Sequence, residues 1–385
     1  MRGSDFFGRE QELSELWGLL GRGSVLMLAP RRVGKTSLLC HMLDQPIAGW
    51  KCIFLSLEDL DSESAFVSRL LAEVCSLAPK STWATRVRVK LRDLLENVEL
   101  VRTGPLRVQL RQEIGGHWRE DAETALEILR SLEHRTLVLL DEFPTFTQRL
   151  LAHEAGKARA KSFLDWFRAR RLHPSQTDGQ IRFLLTGSVG LDGVLRAAGM
   201  TAQVNDVLTY ALRPFTHEVA EAFLERLAEG EGLPLDREMR HRALGLMDWP
   251  IPYYLQLLFL QIGREAARPG RRMTVELVDQ AFEALLGHGH RRDFEHWVSR
   301  LRDTSASQAE HDLKLKVLEA AARDRSGISA RTAIQLRRLH APELNENDIL
   351  GTLEYDGYLM QIGTRFCFAS SLLRRWWLKW VVLKP

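Results

Sequence analysis

Four short apolar runs punctuate the first half of the chain, at residues 24–29, 52–57, 136–140 and 181–186, each rich in Val, Ile, Leu or Phe. They are continuous rather than strictly alternating, and stretches of helical character separate them. That combination predicts a parallel sheet covered by helices on both faces. A fifth run, 208–212, ends at Pro214. Beyond it the pattern changes. From Thr216 to about Leu286 the periodicity is helical only, as in Glu218-Val-Ala-Glu-Ala-Phe-Leu-Glu-Arg-Leu227. From Leu313 onward the pattern predicts three short helices (313–324, 329–339 and 345–356), a two-stranded ribbon across 358–368 and a last helix over 371–382. Residues 305–312 read as a polar linker. The expected organisation is an α/β domain over 1–212, an all-α domain over 213–300 and a small C-terminal domain over 310–385.

Composition narrows the classes. The 385 residues suit two or three domains, and 45% hydrophobic with 27% charged residues is ordinary for a globular protein. A net charge of +3 is too small to imply a nucleic-acid partner by itself. Cys40, Cys52, Cys75 and Cys367 form no CxxC pair and no zinc-spaced cluster, so they read as free thiols. The first ten residues are charged and lack an apolar signal segment, and no apolar run reaches the ~18 residues of a membrane-spanning helix. The expectation is a cytoplasmic protein without a membrane partner.

The first strand runs into Ala29-Pro-Arg-Arg-Val-Gly-Lys-Thr36 and then Ser37-Leu-Leu-Cys-His-Met-Leu43. Strand, loop and helix start together give the context of a phosphate-binding P-loop, or Walker A motif. Backbone amides of the loop and the helix N-terminus hold phosphate oxygens. Gly34 lets the backbone approach, Lys35 reaches the β- and γ-phosphates, and Thr36 offers a hydroxyl to Mg2+. Pro30, Arg31, Arg32, Val33 and Ser37 complete the expected ATP/ADP-binding set. Ala29 stands where the usual pattern has its first glycine.

The third strand ends Leu137-Val-Leu-Leu-Asp-Glu142, four apolar residues and two carboxylates, a Walker B pattern. Asp141 is the expected holder of the magnesium, through water, and Glu142 the residue that orients or polarises the attacking water. The fourth strand ends Thr186-Gly-Ser188, where a polar side chain can sense the γ-phosphate. Ser188 is the first candidate and Thr186 the alternative.

Together these segments resemble a known family. Phe7-Gly-Arg-Glu10, with Glu12-Leu13 and Leu16 following, is similar to the box that precedes the P-loop in STAND and related AAA+ ATPases. Pro30 to Leu38, Asp141-Glu-Phe-Pro144, Thr186-Gly-Ser188 and Leu212-Arg-Pro-Phe215 resemble the archaeal-type ATPase branch, and Trp249-Pro-Ile-Pro-Tyr-Tyr-Leu255 resembles its helical-domain motif. The resemblance covers nearly the whole chain. It implies a P-loop NTPase sheet of AAA+/STAND type, an all-α lid and a C-terminal winged helix in an initiator-like architecture. It also implies an ATP-driven switch of the kind used in signalling or defence. Carried over, Phe7, Gly8 and Arg9 lie near the adenine, and Pro250 or Pro252 touches the nucleotide from the lid. The long repeat arrays of many STAND proteins are missing, so a partner has to supply the trigger. Arg170 and Arg171, near the end of the helix before the fourth strand, match the position of the family's trans-acting finger arginine. The competing reading is helix-dipole stabilisation by basic residues at a helix C-terminus.

Two segments bear on nucleic acid. The expected third helix of the winged helix carries Glu346, Asp348, Glu354 and Asp356 and no Lys or Arg, the wrong sign for phosphate. Residues 80–111 hold Lys80, Arg86, Arg88, Lys90, Arg92, Arg102, Arg107 and Arg111, eight basic residues against three acidic ones, for a net of +5. This stretch is the DNA candidate, against the plainer reading of a solvated helical face. In the last helix Trp376 and Trp380 share a face beside Arg374, Arg375 and Lys379, which suits core packing first. With no Ser/His/Asp triad, HExxH or nuclease-like carboxylate cluster, the leading expectation is a nucleotide-controlled switch that takes a protein partner or self-associates in the ATP state. A DNA-associated ATPase and a structural ATP binder are the rivals.

Overall fold

The structure, a computed structural model, describes residues 6–30, 32–77, 100–102, 108–110, 117–172, 179–187, 191–303, 305 and 307–383. Two bodies divide the chain by their contacts: Met1–Ala29 with Lys35–Leu212, and Pro30–Gly34 with Arg213–Pro385.

In the first body the elements run α1 (Glu10–Leu20), β1 (Val25–Leu28), α2 (Lys35–Asp44), β2 (Trp50–Ser56), α3 (Glu63–Leu77), β3 (Leu100–Arg102), β4 (Val108–Leu110), α4 (Trp118–Arg130), β5 (Arg135–Asp141), α5 (Phe143–Ala152), α6 (Gly156–Arg171), β6 (Ile181–Gly187), α7 (Leu191–Ala198) and β7 (Leu208–Ala211). The five apolar runs form one parallel sheet in the order β2-β5-β6-β1-β7. Strands this apolar must be covered on both sides, because parallel crossovers place helices over each face. Every residue of β6 is buried, and all of β5 except its first. Phe66, Phe146, Phe163 and Phe167, from α3, α5 and α6, pack over the sheet with Val138, Leu140, Phe183 and Leu185. Each such side chain contributes about 1.5–3 kcal/mol by leaving water. Parallel pairing brings the C-terminal ends of β1, β5 and β6 to one edge, where ligands bind in open α/β sheets. The antiparallel β3/β4 pair was not legible in the basic run that contains it. Of that run, 80–111, only 100–102 and 108–110 lie among the described residues.

The second body continues with α8 (His217–Glu231), α9 (Arg237–Leu246), α10 (Pro252–Ala266), α11 (Val275–Leu285) and α12 (Arg291–Asp303), then α13 (Gln308–Arg323), β8 (Ile328–Ser329), α14 (Ala330–His340), α15 (Glu346–Tyr355), β9 (Leu359–Ile362), β10 (Arg365–Phe368) and α16 (Ser371–Trp377), with a π-helical turn at Leu378–Val382. Short polar side chains start most of these helices. Thr216, Asp236, Thr274, Ser307, Ser329 and Ser370 each accept a hydrogen bond from the amide three residues on, and Asn345 accepts one from Asn347. The Ser307 cap explains one departure from expectation: the polar stretch 305–312 is helix from Gln308 onward. β8, β10 and β9 form a small antiparallel sheet beside α13, α14 and α15.

Polar and aromatic contacts tie the helical and C-terminal parts of this body together. Arg300 on α12 pairs with Asp356 at 2.9 Å, both side chains 1% exposed. The Tyr358 hydroxyl donates to the Trp297 carbonyl at 2.6 Å, and Trp380 Nε1 to the Leu286 carbonyl at 3.0 Å. Trp376, Trp377 and Trp380 are buried, as core packing requires. Asp356 is likewise interior and does not extend the acidic face of α15, where Asp348 is exposed and Glu346 and Glu354 are half-buried.

Candidate functional site

The chain leaves β1 at Leu28 and passes through Ala29, Pro30 and Arg32 to Gly34 before α2 begins at Lys35. Gly34 has φ 103°, and a Cβ there would meet nothing within 4 Å. The left-handed backbone, not crowding, therefore demands glycine. Arg31 lies outside the described residues. Val33 is fully buried, and Ser37 is half-buried on the first turn of α2. Lys35 is buried, and its Nζ donates to the carbonyl of Ala29 at 3.0 Å, folding back on the residue that replaces the first glycine.

Three side chains from three elements meet at the sheet edge. Thr36 donates its hydroxyl to Asp141 Oδ2 at 3.0 Å, and Thr186 donates its own to Oδ1 at 2.6 Å. Register explains the second contact: Leu140 pairs with Leu185, so the next residues, Asp141 and Thr186, fall side by side. Asp141 is 7% exposed. Burial pushes its carboxyl above the ordinary aspartate range, the Thr186 hydrogen bond opposes that shift, and the Glu142 charge adds to it. Thr186, the second candidate by sequence, is thus joined to Asp141, while Ser188 lies outside the described residues.

Glu142 caps α5 with φ 60° and ψ 38°, and its Oε2 accepts the Thr145 hydroxyl at 3.1 Å. Arg32 and Glu142 are two of three non-glycine residues with positive φ among the described residues. Strained backbone gathers where the surroundings dictate geometry. Pro144, two residues after Glu142, lies against Gly187. A Cβ on Gly187 would come 2.3 Å from Pro144 Cδ, so β6 must carry glycine there.

The segment before α1 lies close to α2. Phe6 stacks on the His41 ring with centroids 4.0 Å apart, a pairing that no motif signalled. Phe7 and Gly8 are half-exposed, and Arg9 is buried in an ion pair with Glu12. In the second body, Pro250 is buried and its carbonyl accepts from the Phe215 amide at 3.1 Å, while Pro252 opens α10.

The two finger candidates are both paired within the chain. Arg171 is 6% exposed, its Nε and Nη2 each bond Asp206 at 2.9 Å, and Nη2 also donates to the Gln203 carbonyl at 2.6 Å. A guanidinium committed to the interior does not reach a neighbouring molecule. Arg170 is half-exposed and pairs with Glu123 at 3.1 Å.

An ammonium and a hydroxyl at a helix N-terminus, facing a buried carboxylate, form the donor set for a phosphate anion accompanied by a hard divalent cation. Among the described residues no cluster of three or more His, Cys, Asp or Glu forms a metal site of another kind. No helix among them is long and apolar enough to cross a membrane.

No family model matches the chain, and no curated protein matches it in sequence. Among solved structures, the Walker-type ATPase paby2304 of Pyrococcus abyssi is similar over 97% of both chains, with a TM-score of 0.64 and 18% identity. The ORC1 protein of Aeropyrum pernix, in complex with DNA, aligns over 96% of this chain and 91% of its own, with a TM-score of 0.42 and 15% identity. The RuvB Holliday junction branch migration motor of Thermotoga maritima aligns over 94% and 92%, with a TM-score of 0.42 and 12% identity. The chain has the α/β fold of P-loop nucleoside triphosphatases, with the five-stranded parallel sheet described above.

Proposed function

We propose that this chain binds ATP with Mg2+ and hydrolyses it, using the nucleotide to switch between two states. The observation that carries the reading is the Thr36–Asp141 hydrogen bond of 3.0 Å, which joins the end of the phosphate loop to the end of β5. Hydroxyl and carboxylate oxygens are hard donors, so Thr36 and Asp141 fit magnesium, with Asp141 reaching it through water. Bound magnesium supplies charge neutralisation at the β- and γ-phosphates. The protein's own groups do the rest. Lys35 releases the Ala29 carbonyl and turns to the phosphates. Loop amides from Val33 to Thr36 and the N-terminus of α2 hold phosphate oxygens, with Pro30, Arg31, Arg32 and Ser37 lining the loop. Glu142 orients the attacking water and accepts its proton. Thr186 fixes the second oxygen of Asp141. Phe7, Gly8 and Arg9 flank the base.

On this reading residues 1–212 are the ATPase domain, 213–300 the lid and 310–385 a winged helix. The helix and strand order α13, β8, α14, α15, β9, β10 supports the last assignment. The acidic, partly exposed α15 argues against ordinary groove reading of DNA, so the partner in the ATP state is a protein or a second copy. The second reading, a DNA-associated ATPase, rests on the +5 charge of residues 80–111.

ATP hydrolysis by wild type and Glu142→Gln, with and without duplex DNA, together with sizing in ADP and in ATP, tests both. Hydrolysis lost in Glu142→Gln by about 100-fold or more, with ATP-dependent assembly and indifference to DNA, supports the switch. Strong stimulation by DNA favours the second reading. No hydrolysis by wild type in any condition removes the enzymatic one.

A further inference from the structure

Arg32 occupies the left-handed region, φ 68°, a conformation that L side chains avoid unless their surroundings impose it. Its guanidinium carbon lies 3.8 Å from the centroid of the Tyr253 ring, and both residues belong to the second body. A guanidinium over a ring at that distance is a cation–π contact. Tyr253 is itself fixed. It is the second residue of α10, which Pro252 opens, and its hydroxyl donates to Asp293 Oδ1 at 2.8 Å. The other oxygen of Asp293 meets His290 Nδ1 at 2.9 Å, and His290 Nε2 faces Gln261 Oε1 at 3.3 Å. A phenol donating to a carboxylate gains electron density on its ring, which strengthens its hold on a cation. At the other end of the same segment, Pro30 approaches so closely that a Cβ on Gly357 would fall 3.3 Å from it. Pro30 and Arg32, two positions of the segment Pro30–Gly34, thus both meet residues of the second body, and Arg32 is held by a ring with a carboxylate behind it.

We propose that Tyr253 is a positioning residue for the phosphate loop: acting through Arg32, it holds the turn before Gly34 in the shape that receives the phosphates of a nucleotide. The proposal rests on the nucleotide-binding reading and adds a residue outside the loop to that site. Asp293 and His290 act one step further back, by orienting the ring.

Calorimetric titration of Mg-ADP into wild type, Tyr253→Ala, Tyr253→Phe, Arg32→Ala and the Arg32→Ala/Tyr253→Ala double variant tests it. Thermal unfolding checks each fold, and Tyr253→Leu replaces Tyr253→Ala if that variant does not fold. Tyr253→Ala is expected to weaken ADP binding about tenfold, and Tyr253→Phe, which keeps the ring, by less than about threefold. In the Arg32→Ala background the tyrosine substitution is expected to have no further effect. No loss in Tyr253→Ala, or an equal loss with and without Arg32, overturns the proposal. If wild type itself does not bind ADP, or Lys35→Ala binds equally well, the nucleotide reading fails instead. Hydrogen exchange of the 32–36 amides without nucleotide then decides the positioning role: faster exchange in Tyr253→Ala supports it, and equal rates overturn it.

Discussion

Thr186 donates its hydroxyl to Asp141 at 2.6 Å across the β5–β6 register, leaving the other carboxylate oxygen to Thr36. The two hydroxyls thus set the carboxylate's orientation. A residue that orients a metal-facing carboxylate typically contributes 10–100-fold to activity.

Thr186→Val keeps the shape and removes the donor. It is expected to lower ATP hydrolysis by about 10–100-fold, while Thr186→Ser, which restores the hydroxyl, stays within about threefold of wild type. Steady-state hydrolysis with both variants checks this. A valine variant as active as wild type would place Thr186 in the sheet for packing alone.

Asp141 carries a prediction about pH. Burial raises its carboxyl above the ordinary 3.8 despite the Thr186 and Thr36 hydrogen bonds. A carboxyl raised in the folded state favours that state fully below its unfolded value, and the advantage is lost as pH rises through the folded value. At neutral pH the buried carboxyl is therefore a cost to the nucleotide-free protein. Asp141→Asn should stabilise that form by on the order of 1 kcal/mol at neutral pH while abolishing hydrolysis. The gap in melting temperature between variant and wild type should appear as pH rises above about 4 and vanish below it. A constant gap across that range would show that the charge is not its source.

The Arg300–Asp356 pair tests the second body. Both side chains are 1% exposed, and Nε and Nη1 of Arg300 and Oδ2 of Asp356 have no hydrogen-bond partner among the described residues. Removing one partner strands a buried charge, so Arg300→Met is expected to cost about 3–5 kcal/mol. Removing both leaves none, and the Arg300→Met/Asp356→Leu double variant is expected to recover most of that loss. Denaturant unfolding measures all three. A double variant that loses as much as Arg300→Met, or more, would mean that the buried volume, rather than the ion pair, carries the stability.

Elements whose physics is local were legible in the chain. The runs at 136–140 and 181–186 could only be buried strands, and they appear as β5 and β6. Helices were read from periodicity alone, and the Ser307 cap that starts α13 inside the expected linker is a local signal of the same kind. Side chains whose partners lie far along the chain were harder. Arg171 matches a finger arginine by position, with helix-dipole stabilisation as the rival reading, yet Asp206, 35 residues later, draws it inside. Asp356 read as part of an acidic face until Arg300 took it into the core. Charge alone does not tell a solvated residue from a paired one.

The sequence by itself determined the strand–loop–helix at Gly34, Lys35 and Thr36, the carboxylate pair at Asp141 and Glu142, and the order of the five apolar strands along the chain. These depend on periodicity, on backbone conformations open to glycine, and on residues adjacent in the chain. Only the tertiary structure decided that Thr186 faces Asp141, that Pro144 excludes a side chain from Gly187, and that Tyr253 lies under Arg32. Each of these joins residues tens to hundreds of positions apart, and strand register and helix packing, which no local pattern encodes, bring them within reach.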